Sequence, residues 1–417
     1  MSSTTTSGRM AGVGGGDGPL AGVKILDLST SYAGPTATMF LADMGATVVK
    51  IERPGVGDDA RRWGPPFVEG ESVWFHSANR GKISLALDLR GDEHRPIVAE
   101  LLEASDVLVE SFNPAKLASL GIDPERLRTD YPRLIYCALS GFGLDGPDVN
   151  LPGYDLIAQA RSGLMSVTGA QGGPPQRVST ALCDVVAGII AAFSISSALV
   201  RQRRTGEGEI IDVNLLDAGL ALMNPRISSY LAGEEEPCPS GATDSVLAVY
   251  QSFETADRSI VIAIGNDAMW RRFCGVVELP ELGADERLRT NAGRRERRGP
   301  MLAAIADRLR ERTAAEWLQV LAAAGIPASR VQYLSEVTRD PQIVARSSIA
   351  PLDNGLAVVG SPWRLASDLA TREAASIGPI GEDIEGVLRR YGLGDDRIAS
   401  TLARVRGSMF EASAELA

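Results

Sequence analysis

Residues 23–52 read V-K-I-L-D-L-S-T-S-Y-A-G-P-T-A-T-M-F-L-A-D-M-G-A-T-V-V-K-I-E. Two short β-branched runs in this stretch are separated by a turn and a helical segment. The pattern predicts a strand, a crossover helix that ends at Gly45, and a second strand parallel to the first. Strands that alternate with helices in this way form the parallel sheet of an α/β fold.

The same alternation continues beyond this stretch. Further strands are predicted for I-S-L-A-L-D-L (83–89), D-V-L-V-E-S-F (106–112), R-L-I-Y-C-A-L-S (133–140) and I-I-D-V-N-L-L (210–216), with the helix I-V-A-E-L-L-E-A (97–104) between the first two. The arrangement predicts a large, open, mainly parallel sheet with a Rossmann-like topology. Ligands of such sheets bind beyond the carboxyl ends of the strands.

The composition changes at G-E-E-E-P-C-P-S-G (233–241), a polar segment with two prolines that is typical of a domain boundary. Beyond it, V-L-A-V-Y-Q-S-F (246–253) and S-I-V-I-A-I-G (259–265) predict an antiparallel pair, and helical segments follow. We therefore predict a second, smaller α+β domain. The predicted division is a flexible tail at 1–18, the N-terminal part of the large domain at 19–228, the small domain at 229–350, and a C-terminal return to the large domain at 351–417.

Charge and cysteine usage exclude several classes of protein. A formal net charge of −11 argues against a nucleic-acid-binding protein, because neutralising phosphates requires clustered lysine and arginine. The cysteines at 137, 183, 238 and 274 have no CxxC spacing, so they indicate neither a zinc site nor a disulfide framework. Reduced cysteines and a first segment without the apolar core of a signal peptide predict a cytoplasmic protein. We expect no bound metal and no association with membranes.

The stretch from Pro152 to Gly188 contains two acidic residues, Asp155 and Asp184. The run after Asp184, V-V-A-G-I-I-A-A-F-S-I-S-S-A-L-V, is apolar all round and predicts a buried helix; it is shorter than the roughly 18 residues of a membrane span. An aspartate at the start of such a helix often serves only to cap it. When it is buried and poised by hydrogen-bond donors, the same carboxylate can attack an activated acyl group.

Two common kinds of site find little support in the sequence. The turn L-S-T-S-Y-A-G-P lacks the G-x-G-x-x-G pattern of a dinucleotide site, although Glu52 ends the second strand. Arg53, which follows Glu52, is either a cation that holds an adenosine-linked phosphate or an exposed loop residue. His76 lies beside aromatic residues and His94 lies in a charged segment, and the chain has no other histidine. These placements argue against a Ser-His-Asp triad or a histidine-rich metal site.

Several long motifs between Leu20 and the C-terminus resemble those of the family III CoA-transferases, a group typified by formyl-CoA transferase and the carnitine CoA-transferases. They include L-A-G-V-K-I-L-D-L, A-T-V-V-K-I-E-R-P-G-V-G-D, V-E-S-F-N-P-A-K-L-A-S-L-G, G-Y-D-L-I-A-Q-A-R-S-G-L-M, A-L-C-D and R-R-T-G-E-G-E-I-I-D-V-N-L-L-D-A. Their number and order make the resemblance specific. D-D-A-R-R-W-G-P-P-F (58–67) is most similar to members that use dicarboxylyl-CoA donors such as succinyl-CoA with glutarate-type acceptors.

The resemblance implies roles for individual residues. Asp184 matches the nucleophilic aspartate of the family, and Tyr154 and Asp155 match a tyrosine–acid pair beside it. Tyr32 and Ala33 match the turn that faces the thioester. Positions that contact coenzyme A (CoA) in the family correspond to Ala33, Arg53, Leu87, Arg90, Ser111 and Phe112.

The resemblance also implies an activity, with acyl-CoA as a co-substrate. CoA would pass from an acyl-CoA to a small carboxylic acid through an aspartyl mixed anhydride and an aspartyl-CoA thioester on Asp184. Arg61 or Arg62 is expected to pair with a second carboxylate of the substrate. The implied architecture is a large domain built from both ends of the chain, a smaller middle domain, and a homodimer whose subunits are interlocked like chain links.

Two alternatives to transfer stay open at this point: an isomerase similar to the α-methylacyl-CoA racemases, and a non-catalytic acyl-CoA-binding relative. Racemases of the family use a histidine where this chain has Tyr154, and a tyrosine with a pKa of about 10 is a poor base near neutral pH. The middle domain has D-S-V-L-A-V-Y-Q where related members often carry a histidine and a proline before the tyrosine–glutamine pair. The identity of the acids therefore stays open.

Overall fold

The structure is a computed structural model that describes residues 18–68, 70–91, 94–366, 375–381 and 383–415, with the backbone alone for 406–415. The predicted tail at 1–18 lies outside these ranges, apart from Gly18. The described residues form two compact units. The first takes its residues from 1–164, 178–228 and 344–417, and the second from 165–177 and 229–343. That each unit is a separate domain stays a prediction.

Strands and helices alternate through the first unit and are shorter in the second. The strands are β1 Lys24–Asp27, β2 Thr47–Glu52, β3 Phe67–Val68, β4 Glu71–Ser72, β5 Lys82–Ala86, β6 Val107–Glu110, β7 Ile135–Ser140, β8 Glu209–Asn214, β9 Tyr250–Phe253, β10 Ile260–Ala263, β11 Ala328–Arg330, β12 Ile349–Pro351 and β13 Ala357–Val359.

The helices are α1 Ala33–Asp43, α2 Val73–Asn79, α3 Arg95–Ala104, α4 Pro114–Ser119, α5 Pro124–Asp130, α6 Asp155–Arg161, α7 Leu164–Val167, α8 Leu182–Thr205, α9 Leu215–Leu231, α10 Asp267–Val276, α11 Pro280–Ala284, α12 Asn291–Glu296, α13 Arg298–Leu309, α14 Ala314–Ala323, α15 Leu334–Val337, α16 Pro341–Ala345, α17 Ile384–Arg390 and α18 Asp395–Glu415. Short 3-10 turns occupy Asp59–Arg62 and Glu286–Leu288.

The first unit is built on a six-stranded sheet in the order β5-β2-β1-β6-β7-β8. Each neighbouring pair in this sheet is parallel. When its strands are counted along the chain the order becomes 3-2-1-4-5-6, which is the order of the Rossmann fold. The α/β fold with a mainly parallel sheet, predicted from residues 23–52 and the runs that follow, is confirmed.

Both faces of the sheet are covered by helices. Successive side chains of a strand point to opposite faces, so Ile25 packs with α1 and α8 while Leu26 packs with α3, α17 and α18. The helices α17 and α18 come from the C-terminal end of the chain and complete the second face. A parallel sheet that is buried on both faces favours apolar strands, and the β-branched runs of the sequence largely meet that need. The charged side chains that these strands carry are buried in pairs, as in Lys82 with Asp27 and Lys50 with Asp58.

Helix α8 packs closely on α1. Ala187 and Ala191 are fully buried in this contact, and a Cβ added to Gly188 would lie 2.9 Å from Thr36 Cγ2 and 3.0 Å from the carbonyl oxygen of Ala33. The glycine therefore sets how near the two helices come. By length and composition alone, α8 is the one helix among the described residues that could cross a membrane, and 44% of its most apolar window is buried.

We expect Gly188→Ala to lower the free energy of unfolding by about 1 kcal/mol. Overpacking costs about 1–3 kcal/mol, and the better helix propensity of alanine offsets up to about 1 kcal/mol of that cost. Urea denaturation of the full chain measures the change. Gly275→Ala in α10 is the matched control, because a Cβ there meets nothing within 4 Å. This control should raise stability by about 0.5 kcal/mol, and equal stabilisation by both changes would contradict the close approach of α8 to α1.

The second unit has a three-stranded antiparallel sheet in the order β11-β10-β9. The predicted antiparallel pair is present as β9 and β10, whereas β11 is a strand that the sequence did not indicate. The core of this unit contains Trp270, Phe273 and Trp317, each at most 1% exposed, and the indole N–H of Trp317 donates to the carbonyl of Leu309 at 2.8 Å.

Candidate active site

The site lies beside β1 and β6, at the point where the order in which the strands are added to the sheet reverses. From β1 the chain builds outward through β2 and β5, and it then returns to start the other half with β6. The turn after β1 and the segment after β6 therefore lie side by side, and the Thr30 N–H donates to Ser111 Oγ at 2.9 Å. Open α/β sheets bind their ligands in the crevice at such a point.

Two cavities share this crevice, with Thr30 and Phe112 lining both. The first, here called the Asp184 cavity, has a volume of about 210 Å³. Its lining residues include Thr30, Ser31, Ala33, Gly34, Ser111, Phe112, Ser140, Gly141, Val149, Leu151, Gly153, Tyr154, Asp184 and Leu215. The second, here called the Arg53 cavity, has a volume of about 520 Å³, and its lining includes Glu52, Arg53, Asp58, Leu87, Arg90, Phe112 and Lys116.

Asp184 is the third residue of α8, and another helix holds it in place. The N-cap residue of α8, Ala181, makes no side-chain cap. Asp155, the first residue of α6, takes over this role: its Oδ1 accepts the N–H of Cys183 at 2.7 Å and that of Asp184 at 3.4 Å. Gln159 Nε2 in turn donates to Asp155 Oδ2 at 2.6 Å. Asp155 thus fixes the first turn of α8, from which the Asp184 carboxyl reaches the cavity.

The surroundings of Asp184 make its ionisation difficult. Burial, and after it the charge of the neighbouring Asp155, raises the pKa of Asp184 to about 7. A carboxylate with such a raised pKa is a stronger nucleophile than an ordinary one when it is ionised, because it is less stabilised by solvent. Perturbed carboxyl groups in a cavity are typical of functional sites.

The wall of the Asp184 cavity that carries Ala33 and Gly34 is the start of α1. The N–H groups of a first helical turn have no partner inside the helix. The N-cap residue Tyr32 makes no side-chain bond to them. Amide donors at such an end favour negative charge, which includes the oxyanion of an attacked carbonyl.

Two glycines from different segments meet in this cavity. A Cβ built on Gly141, just beyond β7, would lie 2.7 Å from Gly153 Cα, and a Cβ on Gly153 would lie 2.5 Å from Gly141 Cα. Such distances are shorter than side-chain packing allows, so the two backbones cross in direct contact. The crossing brings the segment with Tyr154 to the cavity, where this tyrosine is 61% exposed.

Four cationic residues line the Arg53 cavity: Arg53, Arg90 and Lys116, and the buried Lys50, which is paired with Asp58. Arg53 is anchored by Asp59, at 2.6 Å from its Nη2, and by the carbonyl of Gly57, at 3.1 Å from its Nε. Both partners are in the following loop, so the guanidinium stays at the rim of the cavity. A cavity that combines basic groups with the apolar side chains of Leu87 and Phe112 suits a ligand that carries both phosphates and apolar parts.

The structure brings together most of the residues singled out in the sequence. Ala33, Ser111, Tyr154 and Asp184 line the first cavity, Arg53, Leu87 and Arg90 line the second, and Phe112 lines both. Asp155 lies directly behind Asp184.

Two of the predicted residues point elsewhere. The ring of Tyr32 packs edge-on against Trp74, with 5.4 Å between the ring centroids, and its hydroxyl lies 3.1 Å from Ser77 Oγ. Arg61 is 6% exposed and is bound to Glu52 at 2.8 Å and to Glu71 at 2.9 Å. These bonds occupy the Arg61 guanidinium, so they do not favour its predicted pairing with a substrate carboxylate.

Some residues at the site were not identified from the sequence. Ser31 lines the Asp184 cavity and Lys116 the Arg53 cavity. Glu110 is buried at the end of β6, where it accepts the N–H of Phe112 at 2.6 Å and the hydroxyl of Tyr136 at 2.8 Å. Burial raises the pKa of Glu110 to about 7. Sequence signals were available for all three: Glu110 and Lys116 lie in the motif V-E-S-F-N-P-A-K, and Ser31 directly precedes Tyr32 and Ala33 in the turn marked by the family resemblance.

The histidines lie outside both cavities. His76 Nε2 is 2.7 Å from Glu71 Oε2, and neither His76 nor His94 lines either cavity. Within the described ranges, no group of three or more His, Cys, Asp or Glu side chains is placed to hold a metal ion.

The chain is similar to known proteins over most of its length. The family model described as CoA-transferase family III matches residues 20–383. A human protein named succinyl-CoA:glutarate CoA-transferase is 35% identical over 387 residues, which cover 92% of this chain and 88% of the human one. An acetyl-CoA:oxalate CoA-transferase from Acetobacter aceti is 37% identical over 84% of this chain and 90% of its own. The crystal structure of a CAIB/BAIF family protein from Brucella suis has a TM-score of 0.78 and 33% identity, covering 90% of this chain and 99% of that one.

Proposed function

Because the chain belongs to CoA-transferase family III, we propose that it transfers CoA from succinyl-CoA to a free dicarboxylic acid, with Asp184 as the nucleophile. The observation that carries this proposal is the Asp184 carboxyl, with its pKa raised to about 7, in a cavity that the start of α1 also lines. The names of two similar proteins, a succinyl-CoA:glutarate and an acetyl-CoA:oxalate CoA-transferase, support a small dicarboxylate as the acceptor.

In the first half of the proposed reaction, an oxygen of the Asp184 carboxylate attacks the thioester carbonyl of the donor. The carbon–sulfur bond breaks, CoA leaves as a thiolate, and a mixed anhydride joins Asp184 to the acyl group. The thiolate then attacks the carbonyl of Asp184. The donor acid departs as a carboxylate, and an aspartyl-CoA thioester remains.

The second half runs the same steps in reverse with another acid. The acceptor carboxylate attacks the aspartyl thioester and releases the thiolate, which then attacks the acyl carbonyl of the new anhydride. This step forms the product thioester and restores the Asp184 carboxylate. One thioester is broken and one is formed, and no net proton is taken up or released.

Each addition creates an oxyanion that needs hydrogen-bond donors. Ala33 and Gly34 line the same cavity as Asp184, and we assign this role to their N–H groups. Asp155 and Gln159 hold the first turn of α8 so that the Asp184 carboxylate keeps its direction. Both intermediates hydrolyse in water, and the partial burial that raises the pKa of Asp184 also limits the access of water to them.

We assign CoA to the Arg53 cavity, with Phe112 between the nucleotide and the thioester. Arg53, Arg90 and Lys116 would bind its phosphates, and Leu87 would contact the apolar part. In the Asp184 cavity, hydroxyl groups of Ser31, Ser111, Ser140 and Tyr154 are available to the acids.

We further propose a cytoplasmic homodimer with interlocked subunits. One side of α8 packs on α1, and Ile189, Phe193 and Val200 are 44%, 71% and 67% exposed. Exposed apolar side chains along one face of a helix are typical of an interface, and a second copy of the chain would shield them from water. Light scattering of the purified protein would reveal the dimer.

Incubation with succinyl-CoA and glutarate tests the proposed function. We expect glutaryl-CoA and succinate in equal amounts, and no release of CoA when the acceptor is omitted. Oxalate and monocarboxylic acids are tested in parallel, since the acceptor pocket sets their relative rates. The absence of CoA transfer with a broad panel of donors and acceptors would contradict the proposal. Exchange of the α-proton with deuterated water in place of transfer would indicate an isomerase, and binding without either reaction would indicate a binding protein.

Substitution of a cation in the Arg53 cavity should weaken the binding of acyl-CoA. We expect Arg53→Ala, Arg90→Ala and Lys116→Ala each to raise the KM for acyl-CoA about 10-fold with little change in kcat. The charge-assisted bonds to phosphate stabilise the bound substrate and the transition state equally, so their loss weakens binding and leaves the barrier from the bound state unchanged. Steady-state kinetics with CoA and with dephospho-CoA thioesters identify the cation that binds the 3′-phosphate. Arg128→Ala, an exposed arginine on α5 outside both cavities, is the control. Unchanged KM values in all three variants would refute this assignment.

A further inference from the structure

The turn after β1 is held by a side chain at the end of β1 and by two side chains from other parts of the fold. The N–H of Ser29 donates to Asp27 Oδ1 at 2.9 Å, that of Thr30 to Ser111 Oγ at 2.9 Å, and that of Ser31 to Asp58 Oδ1 at 3.2 Å. Three consecutive backbone donors are thus bound by side-chain oxygens. A turn that leads directly into α1 is therefore fixed residue by residue.

Ser31 adopts a backbone conformation that a serine normally avoids. Its φ is 70°, in the left-handed region, where a side chain crowds the backbone and glycine alone is free of cost. Among the described residues, Glu278 and Ser347 also combine a side chain with a positive φ, and neither lines the two cavities. Strain of this kind persists only where the surrounding structure imposes it.

Asp58 is well placed to impose that conformation. Its side chain is 1% exposed, and its Oδ2 lies 3.0 Å from Nζ of Lys50, which is fully buried. The same Lys50 Nζ donates to the carbonyl of Ser29 at 2.6 Å. The ion pair therefore binds both ends of the turn: Lys50 donates to the Ser29 carbonyl, and Asp58 accepts the Ser31 N–H.

We propose that Lys50 and Asp58 are positioning residues of the transfer reaction, which keep Ser31 left-handed and so hold the N–H groups of Ala33 and Gly34 against Asp184. The inference rests on the function proposed above, since the positioned donors are those assigned to the oxyanion. Both residues also border the Arg53 cavity, so direct support of CoA binding is the competing account. The two accounts differ in what a glycine at position 31 should do.

Position 31 offers a way to separate positioning from other roles of Asp58. A glycine adopts a φ of 70° without strain, so the turn should depend less on Asp58 when Ser31 is replaced by glycine. An alanine at the same place removes the hydroxyl and keeps the strain. Ser31→Ala is therefore the matched control for Ser31→Gly.

The test combines Asp58→Asn with each change at position 31 and measures kcat and the KM for acyl-CoA. An asparagine at position 58 has a single oxygen, whereas the two oxygens of Asp58 serve the Ser31 N–H and Lys50 separately, so one of these contacts is lost. We expect Asp58→Asn alone to lower kcat about 10-fold, which is the equilibrium factor that corresponds to the cost of the left-handed conformation. The double variant with Ser31→Gly should recover to within about 3-fold of Ser31→Gly alone. The double variant with Ser31→Ala should stay about 10-fold below Ser31→Ala.

Two further measurements test the proposal if the first experiment fails. The first serves if Asp58→Asn folds poorly, and the second serves if the wild type transfers no CoA. Ser31→Thr keeps the hydroxyl and adds a β-branch that disfavours a positive φ, so it should lower kcat about 10-fold with Asp58 intact. Amide hydrogen exchange of the peptide with residues 28–34 needs no substrate and should accelerate in Asp58→Asn.

Three results would overturn the proposal. One is an equal loss of kcat from Asp58→Asn whether residue 31 is serine or glycine. The second is a rise in the KM for acyl-CoA at unchanged kcat, which would establish the competing account. The third is unchanged hydrogen exchange of residues 28–34 in Asp58→Asn. CoA transfer by the wild type is scored separately, so a failure of the proposed function is distinguished from a failure of this inference.

Discussion

Asp184→Asn should abolish CoA transfer, with a loss of at least about 10⁴-fold in kcat. The asparagine side chain has nearly the same shape, but its amide cannot form the anhydride on which every later step depends. The fold should be retained, because the change removes a carboxyl group that is costly to ionise in its half-buried place. The measurement is the rate of formation of the product thioester, with thermal unfolding followed in parallel.

Hydroxylamine provides a direct record of the intermediate. It intercepts an activated aspartyl group and leaves a hydroxamate, which intact mass and peptide mapping locate after incubation with succinyl-CoA. We expect modification at Asp184 in the wild type and none in the variant. Asp217→Asn is the control, because Asp217 also lies in the first turn of a helix, α9, and is exposed outside both cavities. Modification at another residue, or a variant within 10-fold of wild-type activity, would remove Asp184 from the reaction.

Changes at Asp155 should have the second-largest effect, through the helix start that this residue holds. Asp155→Ala removes the acceptor of the Cys183 and Asp184 N–H groups, and we expect a decrease of about 10²-fold in kcat because a displaced nucleophile attacks poorly. Loss of a cap should also lower stability by about 1 kcal/mol. Kinetics and urea denaturation measure the two effects.

Asp155→Asn separates the charge of this residue from its capping. The amide oxygen still accepts a backbone N–H, but the negative charge beside Asp184 is gone. In the wild type the rate should rise with pH through about 7, as Asp184 ionises. In Asp155→Asn the pKa of Asp184 falls, so the rise should shift to lower pH. Glu110 also has a pKa near 7 but is held by Phe112 and Tyr136, so an unshifted profile would assign the ionisation to another group such as Glu110.

The raised pKa of Asp184 acts on stability in the opposite direction. The folded state binds a proton at this carboxyl below about pH 7, whereas the unfolded chain does so only near its ordinary pKa of 3.8. Within this window the folded state holds more protons, so the contribution of Asp184 favours folding as the pH falls. Activity and stability thus have opposite pH dependences at one residue.

The sequence was informative wherever local pattern determines structure. The β-branched runs located all six strands of the large sheet, and the apolar run after Asp184 located α8. The strand β11 pairs with β10 through three residues, too few for a pattern to appear. No helix was predicted for the C-terminal residues, where α18 spans Asp395–Glu415.

Contacts between residues that are distant in the sequence limited how much of the site could be predicted. Asp155 and Asp184 stood out as acids, yet the capping bond spans two helices and no local signal encodes it. The predicted role of Arg61 rested on its charge, whereas the fold places Glu52 and Glu71 against its guanidinium. The left-handed serine at position 31 is likewise a product of tertiary contacts, since serine has no preference for that conformation.

The crossing of Gly141 and Gly153 limits which positions can be varied when the acceptor specificity of this enzyme is changed by directed evolution. A side chain at either position would collide with the other backbone, so libraries that include these codons would consist mostly of unfolded variants. Val149 and Leu151 line the same cavity and are at least partly exposed, whereas Leu215, which also lines it, belongs to the buried core. We therefore expect the acceptor range to be adjustable at Val149 and Leu151, around two codons that must stay fixed.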